Sequence, residues 1–226
     1  MERYQVLQGL LALFEAPAYL EVGVDKGETF HGLRAGSKIA VDPTFSFDVD
    51  AARQQADNQN CRYFNVTSDQ FFQTEAPVHR FDVIYIDGLH TFEQTLRDFL
   101  NATVALKPGG VVVIDDVIPA SYAASLPDLD LSRRFWQATS NPDGSWMGDV
   151  YKLVFFIHHF MPSYSYATIV ENHGQTVVWQ APRALPGPVF KDVEAIARAT
   201  YVDVVMNMPL FNLSHYSDIV SRLRER

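Results

Sequence analysis

The run Val111–Val112–Val113–Ile114 is apolar at every position and stops at Asp115–Asp116. A strand with one wet face alternates in polarity. One that is apolar throughout must be covered on both faces, as in a parallel sheet between two layers of helices. The first half of the chain agrees with that demand. Short apolar segments at Ala18–Val24, Lys38–Asp42, Arg62–Val66 and Phe81–Asp87 alternate with helical stretches at Thr29–Leu33, Ala51–Asn58, Ser68–Thr74 and Thr91–Leu106. An opening helix over Tyr4–Phe14 puts Val6, Leu7, Leu10, Leu11 and Phe14 on one stripe, and Pro17 ends it. Thr91 and Gln94 have capping-box spacing, and Lys107–Pro108–Gly109–Gly110 stops the helix they begin. The fold class is α/β, a doubly wound, Rossmann-like sheet with helices on both faces. Ligands of such sheets bind beyond the carboxyl ends of the strands.

After Val117 the pattern loosens. Pro119, Pro127, Pro142 and Gly144 mark residues 118–148 as loop or lid. A helix is expected over Gly148–Phe160, then strands at Tyr166–Val170 and Thr176–Trp179 with a Glu171–Asn172–His173–Gly174 turn between them. From Val189 the chain reads as helical and closes on a basic, amphipathic Ser214–Arg226 segment. No linker divides it. The expectation is one domain, 1–226, with an N-terminal helix (1–17), a ligand-binding core (18–117), a lid or substrate segment (118–150), and the rest of the sheet with the tail (151–226).

Charge and cysteine content exclude several classes. Lys plus Arg is 18 and Asp plus Glu is 27, a formal net charge of −9. That lacks the cationic footprint of a general nucleic-acid binder. Cys61 is the single cysteine, so neither an intrachain disulfide nor a cysteine-based zinc site can form. No apolar run approaches transmembrane length and the opening segment lacks a signal-peptide core, so a soluble, cytoplasmic protein with no membrane partner is expected. A homodimer through the opening helix or the tail is a further expectation.

The candidate residues sit where the strands end. Glu21–Val22–Gly23–Val24–Asp25–Lys26–Gly27 is a glycine turn, but Asp25 stands where a dinucleotide fingerprint needs its middle glycine. Asp42 ends the next strand, where a carboxylate either accepts both hydroxyls of a ribose or serves the turn before Pro43. Thr67 and Ser68 either cap the following helix, a role that falls first to Ser68, or hold an adenine edge. Asp87–Gly88 ends the fourth strand and Asp115–Asp116 the fifth. Neighbouring parallel strands lie about 4.8 Å apart, so the three carboxylates Asp87, Asp115 and Asp116 converge. Like charges there raise a pKa unless a counter-ion intervenes. A hard divalent cation such as Mg²⁺ is one resolution. The other is that Asp115 and Asp116 are caps while Asp87 meets a cofactor through Gly88.

Together, Leu20–Glu21–x–Gly23–x3–Gly27, Val41–Asp42–Pro43, Ile86–Asp87–Gly88–x–His90, Leu106–Lys107–Pro108–Gly109–Gly110 and Ile114–Asp115–Asp116 resemble the class I S-adenosylmethionine-dependent methyltransferases. The small-molecule O-methyltransferases whose fourth strand ends in Ile-Asp-Gly-x-His look most similar. The resemblance spans roughly residues 18–117, and Gly148–Asp149–Val150–Tyr151–Lys152 looks like a run that recurs after the fifth strand in that group. It implies a sheet order of 3-2-1-4-5-7-6 with the seventh strand antiparallel. It implies that Gly23 and Gly27 line the methionine of the cofactor, Glu21 orients that loop, Asp42 binds the ribose, and Thr67 or Ser68 lies near adenine. Asp87, Asp115 and Asp116 match the metal positions of metal-dependent members. The cofactors implied are S-adenosyl-L-methionine and Mg²⁺.

A hydroxyl acceptor must lose a proton as it is methylated. His90 suits a general base at neutral pH, or else bonds Asp87 or a backbone carbonyl at the helix start. Lys152 suits a base or an anion anchor and Asp149 a partner for acceptor hydroxyls, or the two form a helical surface pair. His158 and His159 are adjacent on one helix and cannot both face one site. His31, His79, His173 and His215 carry no partner signal. Trp136 and Trp146 either line a lid or pack. Cys61 reads as a small buried residue. The leading expectation is methyl transfer to a hydroxyl of a small sugar-like or natural-product molecule. Two rivals stand beside it, a nicotinamide-dependent oxidoreductase, which lacks its third glycine, and a methyltransferase-like protein kept for binding alone.

Overall fold

The computed structural model describes residues 1–140, 144–184 and 189–226, so Pro142 of the expected loop lies outside the described residues. In chain order the elements are α1 (Arg3–Leu11), β1 (Ala18–Val22), α2 (Glu28–Gly32), β2 (Ser37–Val41), α3 (Val49–Arg53), β3 (Cys61–Phe64), α4 (Ser68–Thr74), β4 (Phe81–Ile86), α5 (Phe92–Ala105), β5 (Leu106–Ile114), α6 (Leu129–Thr139), α7 (Tyr151–Phe160), β6 (Tyr164–Ile169), β7 (Thr176–Gln180), α8 (Val193–Ala197), α9 (Tyr201–Met206), β8 (Leu213–Ser214) and α10 (Tyr216–Arg224). The strands form one sheet in the order β3-β2-β1-β4-β5-β7-β6-β8. Leu20 lies opposite Ile39 of β2 and Ile84 of β4, both pairings parallel. β7 runs antiparallel to β6, with Tyr166 opposite Val178. The expected order is present, and β8 adds a parallel partner to β6 through Thr168 and Ile169.

The chain packs as two compact units, the first made of Met1–Leu89, Arg97–Val113 and Val220–Arg226, the second of His90–Leu96 and Ile114–Ile219. In the first, all six residues of β4 are buried, as are Val111–Val113 of β5. Val6, Leu7, Leu10 and Leu11 of α1 are at most 1% exposed, and the full burial of each contributes roughly 1.5–3 kcal/mol. Lys38 is a buried cation in β2. Its Nζ donates to the Phe30 and Leu33 carbonyls at the end of α2, both at 2.8 Å, where the helix dipole favours positive charge. In the second unit, Leu153, Val154, Phe155 and Ile157 of α7 are buried, and the Phe155 ring meets Phe190 at 4.8 Å and Phe211 at 5.5 Å.

Four expectations about elements change. The opening helix ends at Leu11, because Leu13 and Phe14 donate to Leu10 and Leu11 in tight turns before Pro17 is reached. The helix before Lys107–Gly110 ends at Ala105, and that run itself lies in β5 rather than in a turn. The Lys107 ammonium pairs with Asp82 of β4 at 2.7 Å, and Gly110 abuts the Asp82 carbonyl. The segment 118–148 holds a helix, α6, whose N-terminus is capped by the Asp128 side chain accepting from Leu131 N at 2.6 Å. The helical C-terminal reading is interrupted by β8. Among the described residues, no helix is long and apolar enough to cross a membrane.

Candidate active site

The first unit places the glycine turn and its acids together. Gly23 has φ +84°, and a Cβ there would overlap the carbonyl oxygen of Asp87, so no other residue fits without moving backbone. Asp42 shapes the same turn. Its Oδ2 accepts from Val24 N at 2.7 Å and Asp25 N at 3.0 Å, and its Oδ1 from Thr44 N at 2.8 Å. Gly27 has φ +75° and is the residue from which α2 starts. Glu21 is 2% exposed and accepts from the Tyr19 hydroxyl at 2.6 Å. Burial pushes its pKa up to about 8; the Tyr19 hydrogen bond pulls it down, and the Asp87 charge adds to the rise. Glu21 is therefore a neutral acid at pH 7.

Asp87 is held from two sides. The Tyr85 hydroxyl donates to its Oδ2 at 3.2 Å, and Arg3 of α1 donates from Nη1 to the same oxygen at 3.1 Å. Gly88 follows, and a Cβ there would meet only ordinary contacts beyond 3.6 Å. The capping role expected first of Ser68 belongs to Thr67. Its Oγ1 accepts from Gln70 N at 3.2 Å, which leaves Ser68 as the first helical residue of α4.

The second unit places His90, Asp115, Asp116, Asp149, Lys152 and His173. His90 Nδ1 lies 3.2 Å from the Trp146 carbonyl oxygen and 3.2 Å from Asp116 Oδ2. Both are acceptors, so Nδ1 is the donor in these contacts. The indole of Trp146 stacks on the imidazole at 4.9 Å and 12°, while its own Nε1 donates to the Leu126 carbonyl at 2.7 Å. The backbone is clamped as well. Gly148 has φ +61°, and a Cβ would overlap the His90 carbonyl oxygen. Asp149 N donates to that oxygen at 3.3 Å, and Asp149 Oδ1 accepts from Phe92 N at 2.7 Å. Lys152 binds Asp149 Oδ2 and the Ala197 carbonyl, each at 2.7 Å. The expected surface pair is thus a buried one, with side chains 5% and 10% exposed.

Sequence reasoning gave His173 no partner, and the structure sets it beside two acids. Its Nε2 lies 3.3 Å from Asp115 Oδ1 and 3.8 Å from Asp116 Oδ1, and the ligand atoms of the three residues fall within 4.8 Å of one another. The turn that carries it is fixed by Asn172, whose Oδ1 accepts from Gly174 N and Gln175 N, and by Val117 N donating to the Gly174 carbonyl at 3.1 Å. The position of His173 in a hairpin turn was the available signal. These contacts change the charge argument made from sequence. Asp87 has a protein cation in Arg3, and Asp115 and Asp116 have imidazoles beside them.

The remaining candidates have structural partners. His31 meets the Tyr63 hydroxyl at 3.1 Å, His158 the Tyr166 hydroxyl at 2.6 Å, and His215 Glu171 at 3.1 Å. His159 Nδ1 faces the Phe155 carbonyl at 2.8 Å. Cys61 is half-buried rather than buried.

A parallel core with an antiparallel seventh strand, glycines after β1 and acids after β2, β4 and β5 are the features by which this chain resembles the class I methyltransferase fold. Residues 20–117 match a family described as a methyltransferase domain. Three solved structures share the fold. One is a proposed caffeoyl-CoA O-methyltransferase from Staphylococcus aureus, at 15% identity, TM-score 0.57, covering 80% of this chain and 85% of that one. Another is the O-methyltransferase TomG from Streptomyces achromogenes, involved in tomaymycin synthesis and solved with S-adenosylmethionine, at 18%, 0.52, 80% and 81%. A third is an O-methyltransferase family protein from Burkholderia thailandensis, at 16%, 0.53, 79% and 55%. No curated protein matches the chain.

Proposed function

We propose that this chain transfers a methyl group from S-adenosylmethionine to a hydroxyl of a small sugar-like or natural-product acceptor. The observation that carries the oxygen-acceptor reading is the pair of acceptors at His90 Nδ1, the Asp116 carboxylate and the Trp146 carbonyl, each at 3.2 Å. The first unit fits the cofactor. Asp42 is a buried carboxylate at the end of β2 with acceptor capacity for ribose hydroxyls, since a carboxylate offers about four lone-pair directions. Asp87 faces a cation, the Arg3 guanidinium, and so lies where a second cationic group can approach its carboxylate. Gly88 is not required by packing, so its lack of a side chain serves a ligand's approach. Gly23 and Gly27 line the methionine side, and Thr67 and Ser68 the adenine side.

The bound cofactor supplies an electrophilic methyl. The chain's own residues do the rest. His90 Nε2 takes the hydroxyl proton as the oxygen–methyl bond forms, and Asp116 holds the imidazole in register and stabilises the imidazolium. Asp149 and Lys152 act as positioning residues, because their polar atoms are committed to the His90–Phe92 turn and to Ala197. Asp115 and Asp116 would hold Mg²⁺ through carboxylate oxygens, with His173 beside them. Such an ion would lower the pKa of a bound hydroxyl. Asp87 is assigned to the cofactor rather than to the metal, because Arg3 already balances its charge.

The test is release of S-adenosylhomocysteine with a panel of small polyols and phenols. His90→Ala is expected to lower kcat by roughly 10²–10⁴-fold while binding of the cofactor is kept. Wild-type kcat in that variant would remove His90 from the chemistry, and no cofactor binding by the wild-type chain would remove the reading altogether.

A further inference from the structure

Resting on the cofactor reading above, we infer that Arg3 is a cofactor-binding residue that recognises the α-carboxylate of the methionine, with Asp87 facing its α-ammonium. The Arg3–Asp87 pair spans 84 residues of sequence at 3.1 Å. Its side chains are 38% and 16% exposed. An ion pair of that exposure adds little net stability, since it orders a long side chain in a well-screened place. Fold stability therefore does not account for it.

The geometry points to a ligand instead. A methionine main-chain group is a zwitterion, an ammonium beside a carboxylate. A carboxylate and a guanidinium held side by side offer the opposite charges in the same arrangement. Arg3 Nη1 is directed at Asp87 Oδ2, and the planar guanidinium carries five donors in a fork that matches a carboxylate edge. Asp87 is itself packed carbonyl-first against Gly23, the residue that follows β1 beside the expected methionine.

Arg3 is also well anchored. It is the first residue of α1, whose start is closed by reciprocal bonds between Glu2 and Gln5. Gln8 exchanges two hydrogen bonds with Arg34, and the apolar face of the helix is buried. The guanidinium is thus presented from a fixed helix, which lowers the ordering cost of using it.

Calorimetric titration separates the two charges. S-adenosylhomocysteine carries both groups, whereas its decarboxylated analogue, S-adenosyl-3-thiopropylamine, keeps the ammonium alone. Arg3→Gln is expected to weaken S-adenosylhomocysteine about 10–100-fold, the range of hydrogen bonds to charged groups, and to leave the analogue unchanged. Arg3→Lys, which keeps the charge and loses the fork, is expected to fall between. Equal weakening of both ligands, or of neither, would overturn the assignment while leaving the proposed function intact. Failure of the wild-type chain to bind S-adenosylhomocysteine would overturn both.

Discussion

Gly23 and Glu21 constrain the end of β1 and the turn after it by different physics. At Gly23 the constraint is steric. A side chain there meets both a left-handed φ of +84° and the Asp87 carbonyl. Gly23→Ala is expected to cost about 1–3 kcal/mol in backbone strain alone, with more from the overlap, and to abolish cofactor binding. Thermal unfolding within 1 °C of wild type would contradict the packing described. At Glu21 the constraint is electrostatic. Its carboxyl ionises near 4.5 when exposed and about 8 in the native fold. Between those values the native state holds a proton that the unfolded chain has released. This group's contribution to stability is therefore lost as pH rises through that window, levelling off above 8. Relative to Glu21→Gln, the wild-type Tm should fall between pH 6 and pH 9. Parallel curves would show that Glu21 is ionised throughout.

The start of α5 owes its position to the segment before α7. Asp149 takes the Phe92 N–H that the helix itself cannot satisfy, and Lys152 neutralises Asp149 out of water. Removing one partner strands the other. Asp149→Ala is expected to cost about 3–5 kcal/mol in urea unfolding, and Lys152→Met added to it should recover part of that loss. A cost under about 1 kcal/mol would mean the pair is solvated in solution. His90 precedes this helix by two residues, so the same variant should also lower kcat. The arrangement places a structural ion pair under a candidate base, and explains why two polar residues with catalytic potential are buried and occupied.

The first unit carries Gly23, Gly27, Asp42 and Asp87, and the second carries His90, His173, Asp115 and Asp116. S-adenosylhomocysteine at 100 times its Kd should add about 2.7 kcal/mol, a rise of roughly 5–10 °C for a chain of this size. NAD⁺ should add nothing, and a rise with NAD⁺ in place of S-adenosylhomocysteine would favour the oxidoreductase. Mg²⁺ is expected to give a separate rise that Asp115→Ala removes. The strand-end acids were legible because strand period, glycine turns and terminal acids are local signals, whereas the sheet order came from the family resemblance. The C-terminal elements were less so. β8 is two residues long, and α6 follows Pro127 in a segment dominated by breakers, although Asp128 is a recognisable cap.

Local pattern alone was enough to place Gly23, Asp42, Asp87, Asp115 and Asp116 at strand ends. Each follows an apolar run whose length and punctuation lie within a few residues of it. Tertiary structure alone decided which charges meet. Arg3 reaches Asp87 across 84 residues, the Trp146 carbonyl reaches His90 across 56, and His173 comes to Asp115 only when a hairpin folds back. It also decided the surroundings of Glu21, a buried acid that has one hydroxyl and a neighbouring carboxylate and whose pKa burial raises to about 8. A side chain's charge depends on its solvation and its partners, and neither is carried by its neighbours in sequence.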